Sequence, residues 1–137
     1  MTTLLVIAKE PRAGRVKTRL TPPFTPAQAA ALAEASLTDT LRTVAAAPAT
    51  RRVLVLDGTP GPWLPPGFDV VPQCAGGLDE RLAAAFAACA GPALLIGMDT
   101  PQVTPALLDV RLAKGEAVFG PALDGGFWAL GLAAPAP

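Results

Sequence analysis

The chain has no histidine, no tyrosine and no asparagine, and Ser36 is its only serine. A Ser-His-Asp or Cys-His site therefore cannot be assembled within these 137 residues. Cys74 and Cys89 are the only cysteines. They are too few for a structural zinc site without imidazole, and they form no C-x-x-C pattern. Two lone thiols read as reduced, which points to a cytoplasmic protein. Net formal charge is zero, so neither nucleic acid nor an acidic membrane surface is an expected partner. No positive n-region of a signal peptide opens the chain. The longest uncharged run, Leu82 to Met98, is Ala-rich and interrupted by Gly91-Pro92, so no membrane span is expected.

What remains for chemistry is carboxylates, Lys, Arg and backbone amides. That inventory suits metal-assisted work on phosphates. The length predicts one domain, residues 1–137, with a full core.

The cations are not spread evenly. Five of the eleven Lys and Arg residues (Lys9, Arg12, Arg15, Lys17, Arg19) fall in the stretch KEPRAGRVKTRL, Lys9 to Leu20. It follows the apolar run Leu4 to Ala8, which reads as a buried first strand. A cationic loop at the carboxyl end of a first strand is where open α/β folds hold phosphate-bearing ligands. Arg and Lys give charge-assisted donors, and Gly14 permits close backbone approach. The competing reading is a solvated basic loop. A P-loop is excluded, because its glycines would fall at Pro11 and Val16.

Further along, Thr25 and Pro26 predict the start of a helix that runs to about Ala47, with Leu37, Leu41 and Val44 on one face. Strands are expected at Thr2–Ala8, Arg52–Leu56, Phe68–Val71, Pro92–Met98, Ala117–Phe119 and Phe127–Leu132. A second helix is expected from about Asp79 to Ala90, and a third from Pro105 to about Lys114. Residues 58–67 hold four prolines and three glycines, a loop of limited freedom. Strands alternating with helices predict α/β architecture and a mostly parallel sheet, with ligands at the carboxyl ends of its strands. The cationic stretch, Asp99 and the Asp124 loop should then share one rim.

Three acids or acid-bearing turns compete for roles. Asp99 follows an apolar strand and precedes Thr100-Pro101; it is either a turn aspartate or a ligand for Mg²⁺ or Mn²⁺. Asp124-Gly125-Gly126 reads first as a tight connection between strands and second as a substrate loop. Gly76-Gly77-Leu78-Asp79-Glu80-Arg81 reads as a capped helix start with Glu80 and Arg81 in solvent, or as amides that meet an anion or base edge.

Three motifs occur together: KEPRAGRVKTRL, then GMDTPQVT from Gly97, then GPALDGGFWALG from Gly120. In that order they resemble the bacterial nucleotide-diphospho-sugar-transferase-like proteins of the arsenosugar-biosynthesis type, within the GT-A group. That group also includes molybdenum-cofactor guanylyltransferase, phospholactate guanylyltransferase and the methylerythritol-phosphate cytidylyltransferase. The resemblance implies a GT-A-like three-layer αβα fold. It implies that Lys9, Gly14, Lys17, Thr18 and Arg19 hold nucleotide phosphates, with Lys17 and Arg19 neutralising the leaving group. Asp99 would hold Mg²⁺ or Mn²⁺. Asp124, Gly125 and Gly126 would border the sugar or acceptor, with Asp124 in the chemistry. Gly76, Gly77 and Arg81 would lie near the base or ribose. Family members often carry Gly-Asp-Leu-Gly-Glu-Arg where this chain has residues 76–81, and they usually extend past the strand after the DGG turn.

The implied activity is metal-dependent transfer of a sugar from a nucleoside diphosphate sugar to an acceptor. The first alternative is a nucleotidyltransferase that joins a nucleoside triphosphate to a phosphorylated small molecule and releases pyrophosphate. The second is a non-catalytic nucleotide-binding or assembly module. In that case the last strand, Phe127 to Leu130, would be a bare edge and a homodimer is expected.

Overall fold

The computed structural model describes residues 3–14, 23–73, 76–87, 92–98, 117–121 and 127–132. Its elements in chain order are β1 (Thr3–Lys9), α1 (Pro26–Ala46), β2 (Arg51–Asp57), β3 (Asp69–Pro72), α2 (Leu78–Ala87), β4 (Ala93–Gly97), β5 (Ala117–Pro121) and β6 (Phe127–Leu132). The helix expected from Pro105 lies outside the described residues.

One sheet takes all six strands, in the order β3-β2-β1-β4-β6-β5. β1 pairs in parallel with both β2 and β4, and β2 with β3. β6 runs antiparallel to β4 and β5. The mostly parallel sheet is thus as expected, and its central strands explain why. Val53 to Leu56 and Ala93 to Ile96 are buried without interruption, as strands covered on both faces must be.

The alternation along β1 assigns the layers. Leu4, Val6 and Ala8 join Leu37, Leu41 and Val44 of α1, together with Leu54, Leu94 and Ile96. Leu5 points the other way, into a cluster with Val53, Val55, Leu95 and, from α2, Ala85 and Phe86. One helix on each face makes the expected three-layer αβα stack, the GT-A-like arrangement.

α1 begins with the capping box its sequence announces. The Thr25 hydroxyl accepts from the Gln28 N–H at 3.1 Å, and the Gln28 side chain accepts from the Thr25 N–H at 2.9 Å. Its far end lacks a basic residue in the last turn, and Arg52 supplies one from β2. The Arg52 guanidinium donates to the Val44 carbonyl at 2.9 Å and to that of Ala47. A cation there also suits the negative end of the helix dipole.

One expectation is corrected. β6 is not a bare edge: it lies between β4 and β5. The reason for expecting a homodimer through this strand therefore falls away. Among the described strands the edges are β3 and β5, and each ends in a proline, Pro72 and Pro121. Proline offers no N–H to an incoming strand, which blunts both edges against pairing. Among the described residues no helix is long and apolar enough to cross a membrane.

Candidate functional site

The parallel strands set up a rim. Lys9 at the end of β1 stands beside Asp57 at the end of β2, and Leu56 stands beside Pro72 at the end of β3. On the other side Ile7 pairs with Gly97, the last residue of β4. Because β6 is antiparallel, its first residue Phe127 and its partner Pro121, the last of β5, belong to the same edge. The strands that lead into the cationic stretch, the Asp99 turn and the Asp124 loop therefore all reach one rim. β5 and β6, the strands on either side of residues 122–126 in the sequence, are antiparallel neighbours. Lys17, Thr18, Arg19, Asp99, Asp124, Gly125 and Gly126 themselves lie outside the described residues.

Lys9 and Gly14 are described. Lys9 is exposed at the rim, and its backbone N–H donates to the Met98 sulfur at 3.3 Å. Gly14 has φ +81°, where glycine alone is unstrained, and an added Cβ would meet nothing within 4 Å. The sequence thus places a glycine at a backbone position that needs one.

Met98 is held from a second side. Thr40, the one fully buried polar side chain among the described residues, donates its hydroxyl to the Ser36 carbonyl at 2.9 Å and reaches the Met98 carbonyl at 3.4 Å. The residue before Asp99 is therefore tied to both α1 and the start of the cationic stretch.

Gly76, Gly77 and Arg81 form the second described group, at the start of α2. Gly76 adopts φ +114°. The Glu80 side chain lies back over both glycines: a Cβ on Gly77 would sit 2.8 Å from a Glu80 carboxylate oxygen. The position where this helix start could receive an anion is taken by the chain's own carboxylate. That agrees with the capped-helix reading.

Arg81 departs from the expectation of a solvated side chain. It is only partly exposed, and its Nη1 donates to the Gln73 side-chain oxygen at 3.2 Å. The Gln73 amide nitrogen in turn donates to the Ala8 carbonyl at 2.7 Å. Gln73, not singled out from the sequence, thus bridges β1 to α2. Its one visible signal is its place as the first polar residue after β3. Gln73 and Arg81 give the polar lining of a cavity of about 290 Å³ whose apolar side includes Val55, Val71 and Ala85. Replacing Gln73 with alanine should remove one of the two acceptors of the Arg81 guanidinium, whose Nε also donates to the Gly77 carbonyl at 3.4 Å, and the side-chain donor to the Ala8 carbonyl. A loss of about 1–3 kcal/mol in chemical denaturation is expected.

Among the described residues no group of three or more His, Cys, Asp or Glu is placed to hold a metal ion. The described rim carboxylates are Glu10 and Asp57, and Glu10 is engaged with the Thr59 N–H at 2.9 Å. A metal at this rim fits only as the hard-cation pattern of one or two carboxylates completed by substrate phosphates.

Comparison with known proteins agrees with this geometry. A protein from Desulfovibrio desulfuricans G20, provisionally designated a nucleotide-diphospho-sugar transferase, superposes with a TM-score of 0.79 at 26% identity. The match covers 98% of this chain and 64% of that one, so the chain spans less than two thirds of that protein's length. Rv0371c from Mycobacterium tuberculosis H37Rv shares the fold at TM-score 0.55 and 23% identity, over 94% of this chain and 70% of that one. Rv0371c has also been solved in complex with manganese, a structure that superposes at TM-score 0.48, with 23% identity and the same coverage. None of the curated proteins matches the chain. A family profile described as "Uncharacterized protein conserved in bacteria" matches residues 29–137. The chain belongs to that family, DUF2064, on a GT-A-like scaffold of the nucleotide-diphospho-sugar-transferase type.

Proposed function

We propose that this chain carries the nucleotide site of a metal-assisted transferase, and that its reaction is nucleotidyl transfer. A nucleoside triphosphate binds along the rim. An oxygen of a phosphorylated small molecule attacks the α-phosphorus, the bond to the bridging oxygen breaks, and pyrophosphate leaves. The observation that carries this reading is the Gln73 bridge. It puts the end of β1, where the cationic stretch begins, next to the Arg81 notch at α2. One ligand with a polyphosphate at one end and a nucleoside at the other would meet both.

Each group then has a task. Lys9, Gly14 and Thr18 hold phosphate oxygens, and Lys17 and Arg19 stabilise the charge that develops on the departing pyrophosphate. Gly76, Gly77 and Arg81 border the base or ribose. Asp124, Gly125 and Gly126 border the acceptor. Mg²⁺ or Mn²⁺, held by Asp99 with phosphate oxygens, would supply further positive charge at the phosphates.

Two chemical arguments favour a triphosphate over a diphosphate sugar. Five cations in twelve positions suit the more highly charged ligand. A phosphorylated acceptor is already ionised near pH 7 and needs no general base, which matches a chain without histidine. A nucleoside diphosphate sugar as donor is the second reading, and it is favoured by the designation of the Desulfovibrio protein.

A thermal-shift panel of nucleoside triphosphates and nucleotide sugars, each with and without Mn²⁺, tests the proposal. A ligand at 100 times its Kd adds about 2.7 kcal/mol. A metal-dependent shift with one triphosphate is expected, followed by pyrophosphate release when sugar phosphates are added as acceptors. A shift confined to nucleotide sugars moves the assignment to sugar transfer. No shift with any ligand leaves the non-catalytic module.

A further inference from the structure

Glu10 places a carboxylate inside a stretch of cations, where it would repel a phosphate. The structure shows where that carboxylate is used. Its Oε1 accepts the Thr59 N–H at 2.9 Å, from the loop after β2. The Glu10 N–H donates to the Asp57 carbonyl at 2.9 Å, and its own carbonyl accepts the Arg12 N–H at 2.8 Å. The Arg12 guanidinium stands 4.0 Å from the same Oε1.

The loop that receives Glu10 is a firm support. Its prolines restrict it, Trp63 is buried in the core on the α1 side, and the Leu64 N–H closes a turn onto the Gly61 carbonyl at 3.1 Å. The fit at its first residue is close. Gly58 has φ +132°, and a Cβ there would lie 2.4 Å from the Glu10 Cβ and 2.7 Å from Oε1. Side chain and socket therefore match from both sides.

We infer that Glu10 is a positioning residue for phosphate binding. It clamps the first turn of the cationic stretch onto Gly58-Thr59, and so sets the direction in which Lys9, Arg12 and Gly14 meet a polyphosphate. The inference rests on reading that stretch as the phosphate site. A charged acceptor suits the task because its hydrogen bond is stronger than a neutral one. Engagement with Thr59 and Arg12 also offsets its repulsion of the ligand.

The test uses the whole chain, inorganic tripolyphosphate and pyrophosphate as probes, and three variants. Glu10→Ala removes the acceptor, and Gly58→Ala fills its socket. Each should weaken tripolyphosphate binding roughly tenfold, about the effect of one charge-assisted hydrogen bond. The loss should be smaller for pyrophosphate, a difference that general loosening of the fold would not produce. Glu10→Gln keeps an acceptor oxygen but not its charge, and should recover part of the affinity that Glu10→Ala loses. If Glu10→Ala and Glu10→Gln both bind more tightly, the carboxylate acts only as a repulsive charge and the positioning role is overturned. Equal binding by Glu10→Ala, Gly58→Ala and wild type overturns it as well. A wild-type chain that binds neither probe overturns the phosphate-site reading, and this role with it.

Discussion

Replacing Asp99 with alanine should erase the metal-dependent part of nucleotide binding while leaving the melting temperature of the free protein nearly unchanged. The expectation comes from the strand before it. β4 is buried from Ala93 to Ile96 and pairs with β1, so the chain leaves the sheet beside the start of the cationic stretch. Met98, the residue before Asp99, is fixed by the Lys9 N–H at its sulfur and by the Thr40 hydroxyl at its carbonyl. The next residue in the chain is Asp99, and one carboxylate with phosphates alongside would be the donor set Mg²⁺ or Mn²⁺ accepts. With Mn²⁺ and a triphosphate at 100 times its wild-type Kd, the stabilisation of about 2.7 kcal/mol should fall to what the nucleotide gives without metal. A turn aspartate predicts the reverse pattern. Its loss would lower the melting temperature of the free protein, with about 1 kcal/mol missing as for a lost cap, and the Mn²⁺-dependent shift would persist.

The elements were legible where local chemistry decides them. Thr25-Pro26 and the Leu37, Leu41, Val44 face specify α1, and unbroken apolar runs specify β2 and β4. Ends of strands moved by a residue where a partner extended the ladder: Lys9 joins β1 because Asp57 is there to pair with it. The place of β6 was not legible. FWALGL is apolar whether it lies at an edge or inside a sheet, and only its pairing with both β4 and β5 decides. The site divides in the same way. The cationic stretch is visible as a local density of charge. Gln73 and Glu10 are not, since each acts through a backbone group far along the chain: Gln73 through Ala8, and Glu10 through Thr59. The sequence around Arg81 does not distinguish a solvated guanidinium from one that meets Gln73, eight residues back.

The largest expected loss of stability from a single truncation is at Leu41. It is fully buried in the C-terminal half of α1, between Leu37 and Val44, in the cluster that includes Leu4, Val6, Leu54 and Ile96. A Leu→Ala change in a core costs about 2–5 kcal/mol, more where the surroundings cannot collapse. Here the opposite wall is a set of paired strands, whose ladder resists moving inward to fill the space. The upper part of that range is therefore expected, against roughly 5–15 kcal/mol for a whole domain. At roughly 3–5 °C per kcal/mol for a chain of this size, the melting temperature should fall by about 10–20 °C. The same change at Leu32, 45% exposed on the same helix, is the control and should stay within about 0.5 kcal/mol. Leu41 also neighbours Thr40, so loosening α1 should weaken the hold on Met98 and with it the metal-dependent shift. A Leu41→Ala variant that melts with Leu32→Ala would mean that α1 does not pack on the sheet through this face, and the tie from Thr40 to the rim would go with it.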